Sequence, residues 1–255
     1  MKIAAVIPAR LSSTRFPRKV LLPITGIPMV EHVRRRALMC SSISEVFVAT
    51  CDEEIADVVR GYGGRVIMTS EKHVNGTSRV AEAITSIDCT HVLLLQGDEP
   101  VFLPRHVADL ICAATDSPRV DAWNVVAALD SEDELDKSSF VKCAINSKNK
   151  ILYCFRRTPH FSNFNIQRKF VRKLLGMIVY RKDFLLELNN LPVSLIEDSE
   201  SIEQMRIIES GYEFRCVEVT PSLPSINVPD EVQIVLDLLE VDKEQQVLLR
   251  AVIEA

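Results

Sequence analysis

The sequence predicts an α/β fold: a mostly parallel sheet covered by helices, with a smaller β-rich subregion. Three observations predict it. Up to residue 130, short apolar runs alternate with segments whose apolar residues recur at helical spacing. Those runs are continuous rather than alternating apolar and polar, as in strands buried on both faces. Strand-helix repetition implies right-handed crossovers and parallel strands. The second half is richer in strand-like runs, which makes the subregion.

The elements follow in order. "IAAVIPA" reads as a strand and "IPMVEHVRRRALMC" as a helix. "EVFVAT" is a strand, "DEEIADVVRGYGG" a helix with a glycine stop, and "RVIMT" a strand. "GTSRVAEAITSI" is a helix, "HVLLLQGDEP" a strand running into a loop, and "PRHVADLICAAT" a helix. Beyond these, "AWNVVAAL", "FVKCAIN", "ILYCFRR", "LLGMIVYR" and "EFRCVEVT" have strand character. Helices are expected near 181–190 and 197–210. The polar, basic stretch 157–173 is expected to be a mobile loop. Residues 229–253 form one long amphipathic stretch, with Pro229 near its first turn, where proline is tolerated. No internal repeat or low-complexity linker divides the chain.

Bulk properties exclude several classes. The 255 residues suffice for one large domain or two small ones, and 47% apolar content can build a full core. A net charge of -5 argues against a general nucleic-acid or acidic-membrane binder. Any anion site must be local. The opening "MKIAAVIPAR" is too short an apolar run for a signal peptide, and nothing is long enough to span a membrane. Cys40, Cys51, Cys89, Cys112, Cys143, Cys154 and Cys216 are dispersed and none forms C-x-x-C. Such a set reads as reduced thiols in a cytoplasm, neither a disulfide frame nor a zinc site.

Two stretches carry candidate chemistry. In open α/β sheets, ligands sit beyond the carboxyl ends of the strands. The loop after the first strand, "RLSSTRFPRK", places Arg10, Arg15 and Lys19 there, yet it contains neither G-x-G-x-x-G nor a Walker glycine loop. Side chains would do the holding. Arginine forks onto phosphate oxygens while lysine acts as a point charge, and N–H groups near Leu11–Ser13 would add an anion nest. The other reading is an exposed loop with ordinary surface bases. The second stretch is "LLLQGDEP". Asp98 at a strand end suits Mg²⁺, which keeps several waters and bridges phosphates. A plain turn punctuated by Gly97 and Pro100 explains the same residues.

Taken together, "IPARLSSTRFPRK", "GIPMVEHV", "VFVATCDEEIADVV", "GGRVIMTSEKHVNGTSRVAEA", "LLLQGDEP", "LYCFRRT" and "IEQMR" occur in an order that resembles a known family. It is that of the nucleotidyltransferases making CMP-activated ulosonic acids, above all the CMP-Kdo synthetases (3-deoxy-manno-octulosonate cytidylyltransferases). The likeness covers nearly the whole chain and is strongest up to residue 103. It implies a Rossmann-like nucleotidyltransferase fold in a single domain over 1–255. Within it, 1–130 would be the nucleotide-binding part, 131–225 a sugar-binding and dimerisation subregion, and 226–255 a C-terminal helix. It implies transfer of CMP from CTP to the anomeric hydroxyl of a 3-deoxy-ulosonic acid, with release of pyrophosphate. Such transfers rest on positioning and charge neutralisation.

The resemblance also implies roles. Arg10, Ser13, Arg15 and Lys19 match the triphosphate loop, and Arg79 a position near cytosine and ribose. Asp98 matches the Mg²⁺ ligand. Gln96, Arg156, Glu203 and Gln204 match the sugar side. Arg10, Lys19 and Asp98 would be catalytic. A homodimer, a cytoplasmic location and a place in lipopolysaccharide biosynthesis are further implications. Read alone, Arg79 could be part of a solvated helix face, and Glu203 and Arg206 a surface ion pair.

The chain departs from the family pattern at several positions. Arg18 stands where the family has glycine, so it either tolerates the loop shape or changes it. Leu174 replaces a histidine and Val179 a glycine. "RRTPH" brings Arg157 and His160, the latter read as an exposed loop histidine or a new polar contact. Asn227 stands where the family has an aspartate that completes the metal site. Its amide oxygen can ligate, but one negative charge is gone, which weakens or alters Mg²⁺ binding. Asp230 and Glu231 read as helix-start acids. The alternative to an active enzyme is a diverged nucleotide-binding homologue with weak or no turnover.

Overall fold

The computed structural model describes residues 1–13, 15–159 and 163–255. The chain opens with β1 (Ile3–Ala9), β2 (Pro23–Ile24), β3 (Ile27–Pro28) and α1 (Met29–Leu38). It continues with β4 (Glu45–Thr50), α2 (Glu53–Gly61), β5 (Arg65–Met68), α3 (Gly76–Ala83), β6 (His91–Leu95) and α4 (Pro104–Asp116). Then come β7 (Ala122–Ala127), β8 (Lys142–Ile145), β9 (Ile151–Phe155), α5 (Phe164–Gln167) and β10 (Val171–Arg181). The chain ends with α6 (Lys182–Asn190), α7 (Leu195–Glu200), α8 (Met205–Glu209), β11 (Phe214–Val219), α9 (Glu231–Val241) and α10 (Lys243–Glu254).

Contacts divide the chain into two compact units, Met1–Ala108 with Leu223–Ala255, and Asp109–Ser222. The first is the parallel part. β1 lies between β4 and β6, and β4 pairs with β5, all parallel. Every residue of β1 is buried, as its continuous apolar run requires. Helix α9 packs Val235 and Leu239 into a cluster with Ile24, Met29, Val101 and Ile226. Parallel pairing puts the carboxyl ends of β1 and β6 on the same side, so the loops after Ala9 and Leu95 emerge together.

In the second unit β7 pairs antiparallel with β10 and parallel with β11. β8 pairs antiparallel with both β9 and β10. Leu129, Leu135, Phe155 and Val171 form a core there. Cys143 and Cys154 face each other across β8 and β9, deeply buried, and burial raises both thiol pKa values. All seven cysteines are free thiols; Cys112 is exposed and Cys51 half-buried, the other five being buried. Among the described residues no helix is long and apolar enough to cross a membrane.

Three expectations are corrected. The C-terminal stretch is two helices, because Asp242 is extended (φ -85°, ψ 120°) and its carboxylate caps α10 by accepting from the Gln245 N–H at 2.8 Å. The helix near 197–210 is likewise two, α7 and α8, since Ser201 turns left-handed at φ 53°. The stretch 157–173 is not all loop: Asn163 caps α5 and β10 begins at Val171. His160 lies outside the described residues.

Candidate active site

β1 delivers the chain to Arg10, and the return loop is tied at three points. The Leu11 N–H donates to Asp52 Oδ2 at 2.9 Å. The Ser13 N–H and the Arg18 N–H both donate to the Leu11 carbonyl, each at 2.9 Å. The expected nest near Leu11–Ser13 is therefore not formed, because the Leu11 N–H is taken by Asp52 and the Ser13 N–H by the Leu11 carbonyl. Asp52 precedes α2 without capping it, and serves the loop instead. Arg18 sits at φ 61°, in the left-handed region. It tolerates the shape glycine would take, and its exposed guanidinium pairs with Glu54.

A cleft of about 170 Å³ follows. It is lined by Arg10, Ser13, Arg15 and Lys19 from this loop, by Gln96, Gly97 and Asp98 after β6, and by Asn75, Gly76 and Arg79 of α3. Arg10 and Arg15 are exposed, Ser13 and Gln96 half-buried. At the start of α3 the backbone comes close: a Cβ on Gly76 would lie 3.1 Å from Pro8 Cγ and 3.4 Å from Gln96 Nε2. Asn75 caps the helix by accepting from the Ser78 N–H at 2.9 Å. Arg79 is not on a solvated face. It is only 2% exposed, and Nη1 donates to Thr69 Oγ1 and the Ser70 carbonyl.

Lys19 and Asp98 meet in this cleft. Lys19 Nζ donates to Asp98 Oδ2 at 2.6 Å and to the Ile226 carbonyl at 3.1 Å. The Ile226 N–H donates to the Asp98 carbonyl at 2.9 Å. The loop bearing Asn227 is thus pinned to "QGDEP" by main-chain and side-chain bonds. Asn227 itself is not part of the cleft lining. Its Nδ2 donates to Ser225 Oγ at 2.8 Å, and Glu231 accepts from the Asn227 and Val228 N–H groups. Glu231 is a helix-start acid, as one reading had it. Among the described residues no three His, Cys, Asp or Glu side chains gather as a metal cluster. Asp98 and Asn227, one carboxylate and one amide, are the two residues of the pinned segments that the metal reading names.

Arg156, Glu203 and Gln204 belong to the second unit. Arg156 donates to the carbonyls of Glu200 and Ser138, each at 3.0 Å, and of Ser201 at 3.2 Å. Gln204 is buried and Glu203 half-buried. Arg206 does not depend on Glu203 for its ion pair: it forks onto Glu197, with Nε to Oε2 at 2.7 Å. That pairing raises the guanidinium pKa further, and Glu203 adds a smaller attraction. Leu174 is half-buried and Val179 buried in β10. The parts sequence reasoning missed are Asp52, Asn75, Gly76 and the Ile226 carbonyl. Asn75 had a signal, since "NGTS" before an apolar run fits a helix cap; a carbonyl contact leaves none.

Comparison with known proteins places the chain as a whole. Residues 4–215 match the cytidylyltransferase family. A 3-deoxy-manno-octulosonate cytidylyltransferase of Geobacter sulfurreducens is 36% identical over 94% of this chain and all of its own. An 8-amino-3,8-dideoxy-manno-octulosonate cytidylyltransferase of Shewanella halifaxensis is 33% identical over 95% of this chain and all of its own. Among solved structures, a CMP:2-keto-3-deoxy-manno-octonic acid synthetase complexed with CTP superposes with a TM-score of 0.87 at 35% identity, covering 94% of this chain and 99% of that one. A 4-diphosphocytidyl-2C-methyl-D-erythritol synthase of Anaerococcus prevotii, at 14% identity and a TM-score of 0.62, shares the fold. With a family match over most of its length and relatives this similar end to end, the chain belongs to the cytidylyltransferases and is a nucleotidyltransferase enzyme.

Proposed function

We propose that this chain transfers CMP from CTP to the anomeric hydroxyl of a 3-deoxy-ulosonic acid, Kdo or a related sugar acid, and releases pyrophosphate. The observation that carries this is the meeting of Lys19 with Asp98 in a cleft also lined by Arg10, Arg15 and Arg79. The anomeric oxygen forms a bond to the α-phosphorus, and the bond from that phosphorus to the bridging oxygen breaks. Arg10, Ser13, Arg15 and Lys19 hold the triphosphate and balance charge on the departing pyrophosphate. Arg79, fixed by Thr69, borders the nucleoside end. Gln96, Arg156, Glu203 and Gln204 serve the sugar acid.

Asp98 and the Asn227 amide oxygen fit Mg²⁺, because both are hard oxygen donors and the metal keeps waters and substrate oxygens for its other positions. When bound it supplies charge neutralisation at the phosphates. We place the enzyme in the cytoplasm, as its free thiols suit a reducing compartment, and propose a homodimer. The reading of a catalytically inactive homologue draws on Asn227, Arg18 and Leu174; of these, Arg18 adopts the left-handed backbone that the loop needs.

The test is direct. The protein is incubated with CTP, Mg²⁺ and a panel holding Kdo, its 8-amino-8-deoxy analogue and other ulosonic acids, and pyrophosphate is measured. Release with at least one acceptor is expected; none with any acceptor overturns the proposal.

A further inference from the structure

Lys19 occupies a telling position for a lysine assigned to phosphate. It is 9% exposed, and its ammonium lies between Asp98 Oδ2 at 2.6 Å and the Ile226 carbonyl at 3.1 Å. Those oxygens belong to the two segments that carry the metal ligands in the reading above, Asp98 and, one residue beyond Ile226, Asn227. A single positive charge is held where those segments are pinned together. We propose that Lys19 is an exchangeable counter-cation: it neutralises Asp98 while no nucleotide is bound, and passes to the triphosphate when a divalent cation takes its place on the carboxylate. The inference rests on the functional reading above.

The local charges favour such an exchange. The Lys19–Asp98 pair is neutral and Asn227 adds no charge, so a divalent cation arriving alone finds its two ligands with no net charge and a lysine already on the carboxylate. Two cations beside one carboxylate in a half-buried site repel strongly, because little water screens them. A triphosphate brings several negative charges at once. It gives the ammonium new oxygen partners and leaves the carboxylate for the metal. Metal and nucleotide then enter as a coupled pair, and linkage makes each raise the affinity of the other by the same factor. In a site with two carboxylates, one could have kept its lysine while the other held metal; here Asn227 favours the exchange.

The experiment reads Mn²⁺ binding by loss of its free paramagnetic resonance signal, on the full chain, with and without CTP and with no acceptor, after subtracting the Mn²⁺ that the same CTP takes up without protein. For the native chain, Mn²⁺ alone should bind at least about fivefold more weakly than with CTP. Lys19→Met should bind Mn²⁺ alone about fivefold or more tighter than the native chain, while weakening CTP. Lys19→Arg, which keeps the charge, should show no such gain. Asn227→Asp restores a second carboxylate without touching Lys19, so it tests the same charge argument should Lys19→Met not fold; it too should tighten Mn²⁺ alone. Thermal melts establish that each variant is folded. A folded Lys19→Met that binds Mn²⁺ alone no better than the native chain overturns the exchange, as does a gain in Lys19→Arg equal to that in Lys19→Met. The metal reading itself fails separately: Asp98→Asn would then bind Mn²⁺ with CTP as well as the native chain does.

Discussion

Arg18 shows how one side chain can occupy a glycine position. At φ 61° an L-residue pays steric strain that glycine avoids, of about 1 kcal/mol. The compensation is small, since the Arg18–Glu54 pair is exposed. Arg18→Gly is therefore expected to raise stability by up to about 1 kcal/mol, read as a shift of the urea midpoint. Arg18 does not line the cleft, so the KM for CTP should stay within about twofold. A large loss of CTP affinity would show that the guanidinium, not the backbone shape, matters there. His32 gives a second residue-level expectation. Burial pushes its imidazole down to about 4, with Arg36 and Arg35 adding repulsion, although Nε2 is bonded to the Ile24 carbonyl at 2.8 Å. The unfolded chain takes up this proton near pH 6.5 and the folded one not until about pH 4. Stability is thus full above pH 6.5 and falls as the pH drops toward 4, by about 2 kcal/mol at pH 5. Urea midpoints across that window should slope less in His32→Gln.

At the scale of elements, α10 is stitched to the segment that follows Asp98. Gln245 is 1% exposed; its Oε1 accepts from Arg36 Nη2 and its Nε2 donates to the Val101 carbonyl, both at 2.8 Å. Arg36 Nη1 donates to the Phe102 carbonyl at 3.0 Å. Gln245→Leu leaves a buried guanidinium and a carbonyl short of partners, so a loss of about 3 kcal/mol is expected in denaturant titration. Gln233→Leu, on the exposed side of α9, should cost less than about 0.5 kcal/mol. Elements of this kind also mark how far the sequence could be read. The strands of the first unit were legible because burial on both faces leaves unbroken apolar runs. The end of α9 was not, because apolar periodicity continues through Asp242 and only a backbone angle breaks it. The burial of Arg79, for which a solvated face was the plain alternative, was hidden for a related reason: helical spacing gives its face, but Thr69, just beyond β5, supplies the partner that permits burial.

For the whole molecule, the contrast between net charge and local charge has a measurable effect. The chain carries -5 overall, yet the cleft gathers Arg10, Arg15, Lys19 and Arg79 around one carboxylate. Attraction of a triphosphate to exposed Arg10 and Arg15 is screened by salt. Raising KCl from about 20 to about 300 mM should raise the KM for CTP severalfold and change kcat little. An unchanged KM would mean that buried contacts alone hold the nucleotide. The cationic loop and Asp98 could be found in the sequence because charged residues directly after apolar strands are conspicuous. Their convergence could not be measured there, since it depends on the parallel register of β1 and β6.

The uneven burial of the thiols has a practical consequence. Cys112 is exposed, whereas burial raises the pKa of Cys40, Cys143, Cys154 and Cys216 and so withholds their nucleophilic form. A maleimide fluorophore used sparingly should therefore attach first at Cys112 on α4, with the half-buried Cys51 as the slower competitor.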